Sequence, residues 1–285
     1  MATKPPTPKQ RTLGVALRKA RDARGLGLRE LARQLDDDAS ALSRYEKGER
    51  AAKPEKVSQI LATLGVNGAE YDSIMALTRD SEGPLWVAVS LPEQQHQMDA
   101  LLEFENNANH ITTIGPLLIP GLLQTREYTL GMMSTADGVP ANEIRTRVTI
   151  RLGRKDILTR PNPVPLLAMI SEGVLDQLIG TPLDMIGQLR HLLEMGERDN
   201  VTIQIVPKTS GWTPALEGMF DLIESDLIPV VLLESRRSAL FLHEESDLNM
   251  YRRAVEQVSL AAMSPADSAG LIAEYITKWE NNRVS

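Results

Sequence analysis

The chain has 285 residues, 42% of them hydrophobic, no cysteine, and 31 basic against 38 acidic side chains, for a formal net charge of −7. That length leaves room for two domains, and the lack of cysteine excludes disulfides and thiolate metal sites. No uncharged apolar run approaches the ~20 residues of a membrane span, and the first residues lack a secretory apolar core, so a cytoplasmic protein without membrane contact is expected. Charge is unevenly spread: residues 1–56 hold 14 basic and 8 acidic side chains, the remainder 17 and 30. A basic head on an acidic body suits a chain that touches phosphates with one end only.

Residues 1–10, with Pro5, Pro6 and Pro8, read as a disordered arm. Residues 13–24 carry Leu13, Ala16, Leu17 and Ala20 on one stripe and stop at Gly25, which predicts a helix. Two short amphipathic helices follow at 28–35 and 39–46. Leu31, Ala32 and Leu35 face inward from the first, and Leu42 and Tyr45 from the second, where Asp38 sits as N-cap. Two helices at that separation form a helix-turn-helix, which lays its second helix in the major groove of DNA. The spacing leaves Ala39, Ser40, Ser43 and Arg44 outside the apolar seam, so these four are the expected base contacts. Arg44 is the best placed for a bidentate contact with guanine, while Arg29, Lys47, Arg50 and Lys53 are expected to hold phosphates. Helices at 55–64, opened by Pro54 and carrying Val57, Ile60, Leu61 and Leu64, and at 70–79, with Tyr71, Ile74 and Met75, complete a five-helix domain over residues 11–80.

The pairing of Leu31-Ala32 with Ser43-Arg44-Tyr45-Glu46-Lys47-Gly48 resembles the Cro/C1-type, or XRE-type, helix-turn-helix domain of phage and bacterial repressors. In that family an arginine near the end of the first helix pairs with the glutamate before the glycine. The resemblance therefore implies a structural ion pair between Arg21 and Glu46. The chain departs from the family in having Gly27-Leu28 where Thr-Gln or Ser-Gln is frequent, and in the acidic run Asp36-Asp37-Asp38.

A junction near Asp80-Ser81-Glu82-Gly83-Pro84 opens a linker, 81–94, and the second domain spans 95–285. Its first helix, 92–108, has Met98, Leu101, Leu102 and Phe104 as apolar positions. The segment 114–125 holds two prolines and Gly121, which forbid a continuous helix, yet it is too apolar for a free loop. It is expected to be buried and extended, turning helical at Leu122 or Thr125. A basic-faced helix over 142–160 follows, with Val148, Leu152, Ile157 and Leu158 inward. Short apolar runs at 164–170, 201–206, 219–224, 230–234 and 239–243 read as strands, separated by helices at 173–179, 182–195, 248–263 and 268–282. The fold class is a mainly α five-helix head followed by an α+β domain with a small sheet.

Leu118-Ile119-Pro120-Gly121-Leu122-Leu123-Gln124-Thr125, with Tyr128, is similar to the hallmark of a large actinobacterial family in which such a domain follows an XRE-type head. Its members are described as regulators, often likened to antitoxins, encoded beside small partner proteins. The resemblance covers nearly all of residues 95–275.

Enzyme signatures are missing. His96, His110, His191 and His243 are scattered without metal spacing, and no nucleophile elbow, phosphate loop or dinucleotide fingerprint occurs. Glu172 and Asp176, one turn apart, read as a solvated face, and His191 as a helix-surface or satisfied core histidine. No catalytic residue, metal or cofactor is expected. Tyr128 and Trp212 are candidates to line a pocket. The expected function is sequence-specific regulation by a homodimer on double-stranded DNA, with Leu117-Leu118-Ile119, Leu122-Leu123 and Leu271, Ile272, Tyr275, Ile276 and Trp279 available for its interface. The alternatives are an antitoxin-like module that binds a small partner protein, and a sensor of a small-molecule effector.

Overall fold

A computed structural model describes residues 7–79, 85–87, 91–134, 141–226, 228–234 and 239–282. In chain order come α1 (Pro8–Asp22), α2 (Leu28–Gln34), α3 (Ala39–Glu46), α4 (Pro54–Thr63), α5 (Gly68–Ala76), β1 (Leu85–Val87), α6 (Leu91–Asn106) and β2 (His110–Gly115). Then follow α7 (Arg126–Met133), α8 (Ala141–Gly153), β3 (Leu166–Ser171), α9 (Gly173–Asp176), α10 (Pro182–Gly196) and β4 (Val201–Val206). The chain ends with β5 (Phe220–Glu224), β6 (Val230–Glu234), β7 (Ala239–Leu242), α11 (Glu245–Ala261) and α12 (Pro265–Asn282). The class is α+β behind a helical head. Two compact units form: Met1–Asn107 with Glu224–Leu248, and Ala108–Ile223 with Asn249–Ser285.

In the first unit, helices α1–α5 close over Leu13, Leu17, Leu31, Leu42, Leu61 and Leu77, all buried. α1 begins at Pro8, not at residue 13. Thr7 caps it by accepting from the Gln10 amide while the Gln10 side chain accepts from the Thr7 amide, a capping box with proline in the first turn. The expected arm therefore gives up residues 7–10 to the helix, and its residues 1–6 lie outside the described residues. The expected linker, 81–94, falls mostly outside them too, apart from β1 and the start of α6. α6 packs in this same unit. Its Glu103 meets Arg18 at 3.1 Å and Arg11 at 3.8 Å, and its Asp99 meets Lys19 at 2.6 Å. Phe104 of α6 lies 5.4 Å from Phe241 of β7, and β7 pairs antiparallel with both β1 and β6.

α1 fixes the far end of α3. Gly14 lets the two backbones touch: a Cβ there would sit 2.5 Å from the Glu46 carbonyl oxygen and 2.6 Å from that of Tyr45. Past α3, Gly48 turns the chain with φ +69°, and Arg11 donates to the Lys47 carbonyl, satisfying one orphan group of the helix end. Arg21 closes the contact with a two-pronged pair to Glu46, 2.7 Å from Nε to Oε1 and 2.8 Å from Nη2 to Oε2. A third bond from its Nη1 reaches the Leu26 carbonyl at 2.7 Å. Both side chains are nearly buried, at 12% and 10% exposure.

In the second unit, β2, β3 and β4 pair in parallel, with Thr113 beside Ala168 and Ala168 beside Ile203, and β5 lies on the other side of β2. The strand at β2 was not among the expected runs; Thr112 and Thr113 interrupt its apolar pattern, yet both are buried. Edge strand β4 is not left open. Ile205 donates its amide to the Ser268 hydroxyl at 2.9 Å and accepts from the Met263 amide at 2.8 Å, so the start of α12 blunts the edge. Tyr275, Ile276 and Ile272 of α12 are buried within this unit, as are Ile119, Leu122 and Leu123. Of the residues expected at a dimer interface, those six fill the protomer's own core instead, because α12 packs on α10 and β4. Glu172 and Asp176 are engaged, not merely solvated: Tyr275 donates to Glu172 at 2.9 Å, and Lys278 meets Asp176 at 2.7 Å. The Lys208 amide, 2.8 Å away, holds the Glu172 carboxyl below the ordinary carboxylate range.

Two stability predictions follow from these contacts. Glu46→Ala strands the Arg21 guanidinium and is expected to destabilise the head by about 3 kcal/mol, read as an early transition in thermal melts followed by circular dichroism; an unchanged melt contradicts the buried pair. Gly14→Ala is expected to cost about 2 kcal/mol, since backbone must shift, whereas Gly187→Ala, exposed inside α10 with open space around it, is expected to gain about 1 kcal/mol from helix propensity. Urea unfolding separates the two signs.

Candidate nucleic-acid interface

The surface of α3 is set by its cap and its two neighbours. Asp38 accepts from the Ser40 amide at 3.0 Å and starts the helix at Ala39. Ala41 and Leu42 are buried, which turns Ser40 and Arg44 to solvent and leaves Ala39 and Ser43 half-buried beside them. The four expected base contacts thus share one strip of α3. Tyr45, expected inward, is only half-buried. Arg50 stacks over its ring, 5.3 Å from the centroid, and so is held near the end of the helix.

The expected phosphate contacts are all exposed, on α2, after α3 and at the start of α4. Arg29 is exposed in the first turn of α2, Lys47 is exposed at the C-cap of α3, and Lys53 is exposed at the N-cap of α4. The Arg50 amide bonds the Arg44 carbonyl at 3.3 Å, so the loop after α3 folds back toward it. Opposed to these cations is the acidic run, in which Asp37 and Asp38 are engaged locally. Asp38 caps α3, while Asp37 meets Lys56 of α4 at 2.6 Å and accepts from the Asp38 amide at 2.7 Å. The hydrogen bond from Lys56 holds the Asp37 carboxyl below the ordinary range. Asp36 takes a left-handed conformation, φ 49°, which closes the turn between α2 and α3. The Asp37–Lys56 tie has no signal in the local spacing, because it joins the turn between α2 and α3 to α4 across the whole of α3.

The Pro-Gly-Leu-Leu-Gln-Thr segment of the second unit is a buried joint. Gly121–Leu123 form a single 3₁₀ turn and Thr125 caps α7. Gln124, fully buried, donates to the Ile119 carbonyl at 2.7 Å and accepts from Thr129 at 3.2 Å and Arg151 at 3.0 Å. Gln188 of α10 brackets the same turn, donating to the Leu123 carbonyl at 2.8 Å and accepting from the Thr125 amide at 2.7 Å. Gly121 leaves room for Arg151, whose Nη2 would lie 3.0 Å from a Cβ there. Tyr128 is fully buried and its hydroxyl accepts from the Ile119 amide at 3.2 Å, so it lines no pocket; burial pushes its phenol pKa up. Trp212 is 69% exposed on a different loop. The cavity present in this unit, about 390 Å³ and open to solvent, is lined by Gly131, Met132, Ser134, Leu178, Ile179 and Gly180. Neither expected pocket residue belongs to it.

No group of histidines or carboxylates among the described residues is arranged to hold a metal ion, and no helix there is long and apolar enough to cross a membrane. Residues 12–74 match the model of a family described as a helix-turn-helix domain. Residues 98–274 match that of a family described as a domain of unknown function, DUF5753. No curated protein and no solved structure matches the chain. The second match spans more than half of the sequence, and the chain accordingly belongs to the DUF5753 family, with a helix-turn-helix domain ahead of that region.

Proposed function

We propose that the protein is a DNA-binding transcriptional regulator of the Cro/C1 type, working as a homodimer, with Ser40 and Arg44 reading bases and Ala39 and Ser43 at the edge of the groove. The observation that carries this reading is the strip of α3 that holds exposed Ser40 and Arg44, with Arg29, Lys47, Arg50 and Lys53 exposed on α2, after α3 and at the start of α4, while Asp38 and Asp37 are taken up in a cap and an ion pair. Phosphate contacts position such a head, and base contacts specify the site. The charge split between residues 1–56 and the rest supports binding by the head alone.

A single recognition helix reads too few base pairs to choose among ~10⁶ or more genomic sites, so two heads must act together. Among the described residues, the large apolar side chains left exposed all belong to the second unit, including Leu117, Trp212, Leu216 and Leu260. They support that unit as the place where a second copy docks. A small partner protein on the same surface is the second reading, favoured by the same exposed side chains and by the antitoxin-like resemblance of the motif. The two separate by mass: the homodimer reading requires a dimeric mass for the pure protein in light scattering at micromolar concentration, and a monomer, with and without DNA, contradicts it.

On a duplex site recovered by selection from random sequence, Arg44→Ala is expected to lose about 1–3 kcal/mol of discrimination while leaving binding to unrelated duplex nearly intact. Lys53→Ala is expected to weaken both alike and to reduce the slope of log affinity against log salt by about 1. Equal losses from the two variants reject the assignment of roles.

A further inference from the structure

The joint at Gln124 also holds an amine. Lys155, in the 3₁₀ turn after α8, is half-buried, and its Nζ donates to the Gln124 carbonyl at 3.0 Å. The same Nζ lies 2.9 Å from Nε2 of His191 on α10. An ammonium has only donors, so the imidazole accepts at Nε2 and carries its proton at Nδ1. That second nitrogen faces Glu194 Oε2 at 3.6 Å, one turn further along α10. The row Lys155–His191–Glu194 is therefore a nucleophile, a base and a group that orients the base.

The other charged groups facing the amine are few. Glu127 of α7 and Glu194 of α10 attract it, and Arg151 of α8 sits across Gln124. Burial favours the neutral amine of Lys155 and the neutral ring of His191, and the two cations disfavour each other. Lys155 is half-buried, His191 19% exposed and Glu194 77% exposed, so the row opens to solvent at its Glu194 end.

We propose that Lys155 is a covalent modification site, acylated by activated acyl donors of the thioester class with His191 as general base and Glu194 as its positioning residue. One ammonium proton leaves to solvent and frees the lone pair. Nζ then bonds to the acyl carbon as the carbon–sulfur bond breaks, and a second proton passes through His191 Nε2 to the departing sulfur. The products are an Nε-acyl-lysine and a thiol. The amide that remains has one N–H where the ammonium had three, so it can serve the Gln124 carbonyl or His191 but not both. Acylation thereby removes a charge and one tie between the Pro-Gly-Leu-Leu-Gln-Thr joint and α10.

The test is a time course of the full-length protein with acetyl-coenzyme A, following all nine lysines by mass spectrometry. Lys155 is expected to acetylate about tenfold or more faster than exposed Lys47 and Lys53, a modest share of what a positioned base can supply. Its rate is expected to level off below the pH range of an ordinary lysine amine, because burial favours its neutral form. His191→Gln is expected to bring it down to their rate, and Glu194→Gln, at an exposed position, to slow it severalfold without disturbing the fold. Lys155 reacting no faster than Lys53 in the unaltered protein overturns the proposal, whatever becomes of the variants. A fast Lys155 that is indifferent to both substitutions overturns the relay.

Discussion

The head depends on one close contact, that of α1 with the end of α3. A helix of eight residues has too few internal hydrogen bonds to persist alone, so the recognition helix must be held from outside. Gly14 lets the backbones meet, Arg11 takes up a carbonyl at the helix end, and Arg21 clamps Glu46 with two bonds while a third reaches the loop before α2. Every one of these groups lies on the side of α3 away from Ser40 and Arg44. The contact fixes the helix without consuming the strip that carries Ser40 and Arg44.

The second unit solves a different problem. An apolar segment broken by two prolines and a glycine carries backbone groups that no ladder satisfies, and burying them unpaired would cost about 1–3 kcal/mol each. Gln124 and Gln188 supply the missing partners from inside the fold, one at the end of the turn and one from α10. Gln124 is thus as buried as Leu122 and Leu123 of the motif, while Thr125 is half-buried at the cap of α7. Their conjunction with Lys155 and His191 places the chemistry of this unit at the joint and not in the shallow cavity beside α7.

Legibility followed the range of the forces involved. α3 is readable from its cap and its stripe because Asp38 and Leu42 act within one turn, the strand at 201–206 because Val201, Ile203 and Ile205 alternate with polar residues, and that at 230–234 because a continuous apolar run marks a buried strand. The start of α1 was missed although its signature was local. Three prolines suggested an arm, while Thr7 and Gln10 at capping-box spacing pointed to a helix. Gly14 in the middle of an amphipathic stripe was also a signal, since glycine there makes sense only for close approach. β2 escaped because two threonines break its pattern, and only its place between β3 and β5 makes them interior. The Lys155–His191 contact joins residues 36 positions apart, which spacing alone does not reveal.

In the proposed function the head meets DNA through α3 and the exposed cations of α2, α4 and the loop after α3, with α1 as the fixed support. Amide hydrogen exchange of the full-length protein, with and without a mixed-sequence duplex at low salt, tests it most directly. Slower exchange on DNA binding is predicted at residues 39–44 and 47–53 and at the start of α2, with no change in β3 and β4. Protection concentrated in the second unit, or none in the head, would contradict it.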